Sequence, residues 1–214
     1  MIRTRPRGRP VAALDQNARA LLLDAATNLF AHQGVAATTL AQVAQDAAVT
    51  PAMVHYYFKN RDQLLDAVVE ERVWPFVELV WTPPAPDTDT TGVITDMVAR
   101  MIGGAQTWPW LPLLWVREVL SEGGMLRERM MRRLPFDRVM QLSTLIADGQ
   151  KQGRINPELE PRLLFITVLA MCMMPLATAS IWRMRPGMQD IDNTVLVRHV
   201  TALLRHGMAG PGKE

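Results

Sequence analysis

Apolar residues recur at three- and four-residue spacing along nearly the whole chain, a rhythm that belongs to amphipathic helices rather than strands. The spacing predicts helices near residues 17–33, 40–47, 51–57, 61–80, 92–107, 111–121, 125–152, 159–183 and 191–206. In the first, Leu22, Ala26, Leu29 and Phe30 form the inward stripe and Gly34 ends it. Pro75 is expected to bend the fourth. The clearest break is TPPAPDTDTT, residues 82–91, whose prolines cannot stay helical. The expected fold is all-α: a small three-helix head, then a larger helical body, about nine helices in all.

Residues 38–65, TTLAQVAQDAAVTPAMVHYYFKNRDQLL, break the pattern informatively. Leu40, Val43, Ala44 and Ala47 give one narrow apolar face, Ala48 and Val49 a turn, and Thr50 with Pro51 the start of a second short helix. That second helix offers only Val54 and Phe58 as core anchors. Ala52, Met53, His55, Tyr56 and Tyr57 are left for its outer faces, and Lys59, Asn60 and Arg61 end it with positive charge. Two short helices, a tight turn and an outward face of small, polar and aromatic residues describe a helix-turn-helix that enters the DNA major groove. An ordinary helical hairpin with surface tyrosines is the bland alternative.

The stretch from residue 19 to 65 resembles the amino-terminal DNA-binding domain of the TetR family of transcriptional regulators. LLDAATNLFAHQG (22–34), TTLAQVAQDAAVT (38–50) and PAMVHYYFKNRDQLL (51–65) carry the resemblance. Members usually show glycine where this chain has Ala48 and most often tyrosine where it has His55. The resemblance implies that Thr39, Thr50, Pro51, Ala52, Met53 and His55 lie at or near bases, and that Tyr56, Tyr57 and Lys59 hold phosphates. Ala52 and Met53 offer only apolar contact, so direct readout is expected to be sparse and DNA shape to contribute.

Charge adds a second element. Residues 1–61 carry seven basic and three acidic side chains, whereas the rest carries sixteen basic and eighteen acidic, within an overall net charge of +2. A basic head on a slightly acidic body suits a DNA reader. Within the first ten residues Arg3, Arg5, Arg7 and Arg9 alternate with small or stiff residues. Pro6-Arg7-Gly8-Arg9-Pro10 resembles the core of an AT-hook, which implies that Arg7 and Arg9 enter the minor groove of A·T-rich DNA. A solvated basic tail is the alternative. The expected organisation is a flexible arm over 1–16, the helix-turn-helix domain over 17–62, and a ligand-binding and dimerisation domain over 63–214.

Residues 163–182, LLFITVLAMCMMPLATASIW, run without a charge for a length that could span a bilayer. Pro175 and the small polar Thr167, Thr178 and Ser180 lower its hydrophobicity, and a helix apolar all round can equally be buried in protein. The family resemblance implies a homodimer through helices near 159–183 and 191–206, with no membrane involved. A membrane-anchored regulator using 163–182 as its span remains the alternative.

Trp108, Trp110 and Trp115, flanked by Met97 and Met101, are the candidates to line a pocket for a small apolar or aromatic effector, with Arg117 as a polar group. Each alone reads equally as core. Catalysis finds little support. His32, His55, His199 and His206 stand singly, Cys172 is the only cysteine and sits in an apolar run, and no phosphate-cradling glycine loop occurs. No metal or cofactor is expected, nor a secretory signal, and the free cysteine suits a reducing cytoplasm. The leading expectation is a repressor released from a palindromic DNA operator by its ligand. A ligand carrier or enzyme with an incidental helical hairpin is the other class.

Overall fold

The computed structural model describes residues 11–210. Among these no strand forms, apart from an isolated bridge between Ile155 and Ala209. The chain folds as α1 (Val11–Gln33), α2 (Leu40–Asp46), α3 (Pro51–Tyr57), α4 (Arg61–Val68), α5 (Trp74–Val80), α6 (Thr90–Thr107), α7 (Leu111–Leu114), α8 (Arg127–Met131), α9 (Phe136–Lys151), α10 (Pro161–Ala177), α11 (Ala179–Trp182) and α12 (Asn193–Met208). Two wider π turns, Val69–Val73 and Trp115–Leu120, extend α4 and α7. The all-α expectation holds.

The head packs α1 against α2, α3 and α4. Leu22, Leu23, Ala26 and Phe30 from α1 are fully buried with Val43, Val54, Phe58 and Leu64. The amphipathic stripe read from spacing is therefore real, with Leu23 buried and Leu29 only half-buried. α1 starts at Val11, so the expected arm of 1–16 overlaps its first turns.

The π turn Val69–Val73 has an identifiable cause. Pro75 lacks the N–H that would bond Glu71 O, and its ring would crowd that carbonyl in a regular α-helix. The turn widens instead, with Trp74 N donating to Val69 O, and Arg72 Nη1 reaches the Glu71 carbonyl at 3.1 Å. Where a bend was expected at Pro75, the chain shows a π turn just ahead of it.

Two long helices read from periodicity are interrupted. The stretch 125–152 splits into α8 and α9 at Pro135, because the residue before a proline avoids the helical region. The uncharged stretch 163–182 becomes α10, which ends at Ala177 with Thr178 as its C-cap, followed by the four-residue α11. No described helix is long and apolar enough to cross a membrane. α10 buries Leu164, Val168, Cys172 and Met173 against the body, while Leu163 and Ile166 on its other side are 56% and 60% exposed. α12 lies against α6 and buries Leu196, Val200, Leu204 and Met208.

Candidate nucleic-acid interface and effector cavity

The turn between α2 and α3 is a Schellman motif. Val49 N donates to Ala44 O and Ala48 N to Gln45 O, both near 3 Å, and Ala48 sits at φ +53 where glycine is usual. α2 begins with a reciprocal capping box: Thr39 Oγ1 accepts from Gln42 N at 3.2 Å, and Gln42 Oε1 accepts from Thr39 N at 2.8 Å. α3 begins at Pro51, but the expected capping role of the Thr50 side chain is not used, since its hydroxyl makes no cap hydrogen bond. The Met53 N–H that such a hydroxyl would serve is taken instead by the Thr50 carbonyl, at 3.0 Å.

These devices present an open surface. Thr39, Thr50, Pro51, Ala52, His55, Tyr56 and Lys59 are exposed, Tyr56 by 71%, while Met53 and Tyr57 are half-buried. Tyr56 and Tyr57 meet edge to face with ring centroids 5.0 Å apart. Only Val54 of α3 is buried, with Phe58 just beyond it. The cationic end of α3 is thinner than the sequence suggests. Arg61 turns inward to the Val35 carbonyl and Asn60 caps α4 through Gln63 N at 2.9 Å, leaving Lys59 as the outward cation. Arg7 and Arg9 lie outside the described residues.

Head and body are bolted together along α1. Arg19 pairs with Glu71, whose hydrogen bond raises the guanidinium pKa further, and stands 5.2 Å over the Phe58 ring. Arg72 reaches Asp24 at 2.7 Å and the Ala20 carbonyl at 3.1 Å. From the second π turn, the buried Glu118 accepts Val35 N at 2.8 Å and Met125 N at 3.1 Å, and Arg117 donates to the His32 carbonyl. Gly34, at φ +88, makes this approach possible: a Cβ there would stand 3.2 Å from Glu118 Oε1. Sequence reasoning had no signal for the hydrogen bonds that cross from head to body, whose partners lie 48 to 85 positions apart.

The body holds a small apolar cavity of about 50 Å³ between α5, α6 and α10, with Met101, Trp115, Phe165 and Leu169 in its lining. Trp115 Nε1 is buried and has no acceptor among the described residues. Val80 and Trp81 line this cavity and also a larger vestibule of about 350 Å³ bounded by the 82–84 loop, α6 and α9, where Met97 lies. Of the sequence candidates, Met97, Met101 and Trp115 therefore come together around these two spaces. Trp108 instead packs edge-on against Phe76 at 6.1 Å, Trp110 precedes α7 half-buried, and Arg117 belongs to the head–body seam. Among the described residues no group of three or more His, Cys, Asp or Glu could hold a metal ion.

Comparison with known proteins agrees with this geometry. Residues 22–68 match the family model described as bacterial regulatory proteins, TetR family. The HTH-type transcriptional regulator SrpR of Pseudomonas putida is 29% identical over 153 residues, covering 71% of this chain and 70% of that protein. The HTH-type transcriptional regulator TtgW, also of Pseudomonas putida, is 29% identical over 124 residues, covering 58% of this chain and 91% of that one. Among solved structures, FadR of Bacillus subtilis in complex with stearoyl-CoA superposes with a TM-score of 0.66 at 20% identity, covering 88% of this chain and 98% of that one. The ketosteroid transcriptional regulator of Mycobacterium tuberculosis gives 0.70 at 14% identity, over 90% and 95%. At such identities the structures testify to the fold alone.

Proposed function

We propose that the chain, whose residues 22–68 match the family model of TetR-type bacterial regulatory proteins, is a DNA-binding transcriptional regulator that works as a homodimeric repressor released by a small apolar or aromatic effector. The observation that carries the reading is α3: seven residues of which one is buried, held by a tight turn with Pro51, Ala52, His55 and Tyr56 exposed. Thr39, Thr50, Pro51, Ala52, Met53 and His55 approach bases in this reading, while Tyr56, Tyr57 and Lys59 fix the register on phosphates. Arg7 and Arg9 add minor-groove contact.

The dimer is supported by the outward side of α10 and α12. Leu163, Ile166, Met174 and Leu203 are exposed large apolar side chains on the two helices, an unusual face to leave in water. Two copies pairing there bring two heads to successive turns of one DNA groove, as half-site recognition requires. The reader of a bacterial operator works in the cytoplasm.

Effector action follows from the second π turn, which carries Trp115 in the cavity and Glu118 on the head. A ligand that repositions Trp115 favours a different placing of the heads, and operator affinity falls by the ligand's preference for that state. FadR of Bacillus subtilis, which shares the fold, is solved in complex with stearoyl-CoA, a molecule with a long apolar chain. Selection of bound fragments from random DNA by the full chain tests the reading. An inverted repeat of two half-sites is expected; a single unrepeated site would overturn the dimer model, and no enrichment at all would overturn the DNA-reading assignment.

A further inference from the structure

Two cationic side chains are gathered at the vestibule without an acid to answer them. Arg100 donates to the Thr82 carbonyl and Arg138 Nη1 to the neighbouring Trp81 carbonyl at 3.4 Å, so both guanidiniums converge on the carboxyl end of α5. Each uses one donor there, and neither forms an ion pair among the described residues. None of the twelve residues lining the vestibule is acidic. Behind the two arginines the walls turn apolar: Val80, Val93, Met97, Leu142 and Leu145 line the vestibule. Trp81, half-buried and tilted against Phe165 with centroids 5.1 Å apart, separates it from the deeper cavity.

We propose that the effector is an amphipathic carboxylate whose anionic head is held by Arg100 and Arg138 and whose apolar body lies along Trp81 toward the Trp115 cavity. The inference rests on the reading of the body as an effector domain and names the ligand's chemical class. Like charges drawn together at a half-closed mouth are stabilised by an anion, and a guanidinium fork matches a carboxylate in two parallel hydrogen bonds. The apolar body gains by leaving water for the vestibule wall. Trp81 stands in its way to the deeper chamber, whose volume of about 50 Å³ admits only the end of such a molecule. The unpartnered Trp115 Nε1–H beyond it can meet an oxygen or a ring face there.

The test uses the full chain without DNA and three probes sharing one ten-carbon body: decanoate, decan-1-ol and decylammonium, titrated by calorimetry. Decanoate is expected to bind at least about tenfold tighter than the alcohol, as a charge-assisted hydrogen bond warrants, and the ammonium more weakly still. Arg100→Gln, at a half-buried position, and Arg138→Gln, at an exposed one, should each cost decanoate about tenfold and leave the alcohol unchanged, which also verifies folding. Equal binding of all three probes, or a double variant that keeps decanoate affinity, overturns the proposal. Repeating the titration on the DNA complex separates the two readings. Decanoate that binds with this arginine dependence yet leaves DNA bound overturns release by effector, while the ligand class stands.

Discussion

Glu118 Oε1 accepts the Val35 N–H at 2.8 Å, joining a π turn of the body to the turn that follows the first helix of the head. The same Val35 offers its carbonyl to Arg61, so one residue's backbone is held from both sides. Glu118 is 5% exposed, and its second oxygen takes Met125 N at 3.1 Å. Removing the carboxylate orphans two backbone donors at once. Glu118→Ala is expected to lower unfolding stability by about 2 kcal/mol, measured by urea denaturation, with Glu118→Gln in between. A loss within error for Glu118→Ala would show that water replaces the clamp.

Ala48 occupies left-handed backbone at φ +53. A side chain there costs about 1 kcal/mol relative to glycine, partly offset by glycine's greater freedom when unfolded. Ala48→Gly should therefore stabilise the chain by up to about 0.5 kcal/mol and leave DNA binding intact. Thermal melting checks the sign; a lower midpoint would contradict the strained-turn account.

Lys59→Ala and Tyr56→Phe should weaken binding to all DNA sequences alike, and the lysine variant should reduce the slope of log affinity against log salt by about one. Met53→Ala should change base preference instead. An unchanged preferred sequence in that variant would show that the recognition register is misassigned.

Ile166, 60% exposed on α10, is a sensitive probe of self-association. Ile166→Glu should shift the chain from dimer to monomer in light scattering and cut operator affinity by roughly a hundredfold, the order contributed by a linked second site. A variant that remains dimeric would move the interface elsewhere.

Burial pushes the Cys172 thiol up to about 12 from an ordinary value near 9. The folded chain keeps the thiol neutral while the unfolded chain ionises it, so its contribution is intact below pH 9 and is lost as pH rises toward 12. At pH 8 a disulfide reagent should label Cys172 only after denaturant is added. Rapid labelling of the native protein would mean that α10 opens readily.

Helix content and the head were legible because their signals are local. The stripe of Leu22, Ala26 and Phe30, the small turn at Ala48 and proline at the start of α3 each act within one or two turns of backbone. Breaks inside long periodic runs were less legible. Pro135 ended a helix, whereas Pro175 sits inside one, and the difference lies in what surrounds each proline rather than in the residue itself.

From sequence alone came the fold class, the helix-turn-helix and the amino acids its second helix exposes, all consequences of spacing over a few residues. Tertiary structure alone decided how those parts are joined. It turned Arg61 inward, made Glu118 the holder of Val35, moved Arg117 away from the cavity, and brought Arg138 beside Arg100 across 38 positions of chain. Such pairings depend on where whole helices come to lie, which is set by the summed burial of many side chains and leaves no mark in any short window of sequence.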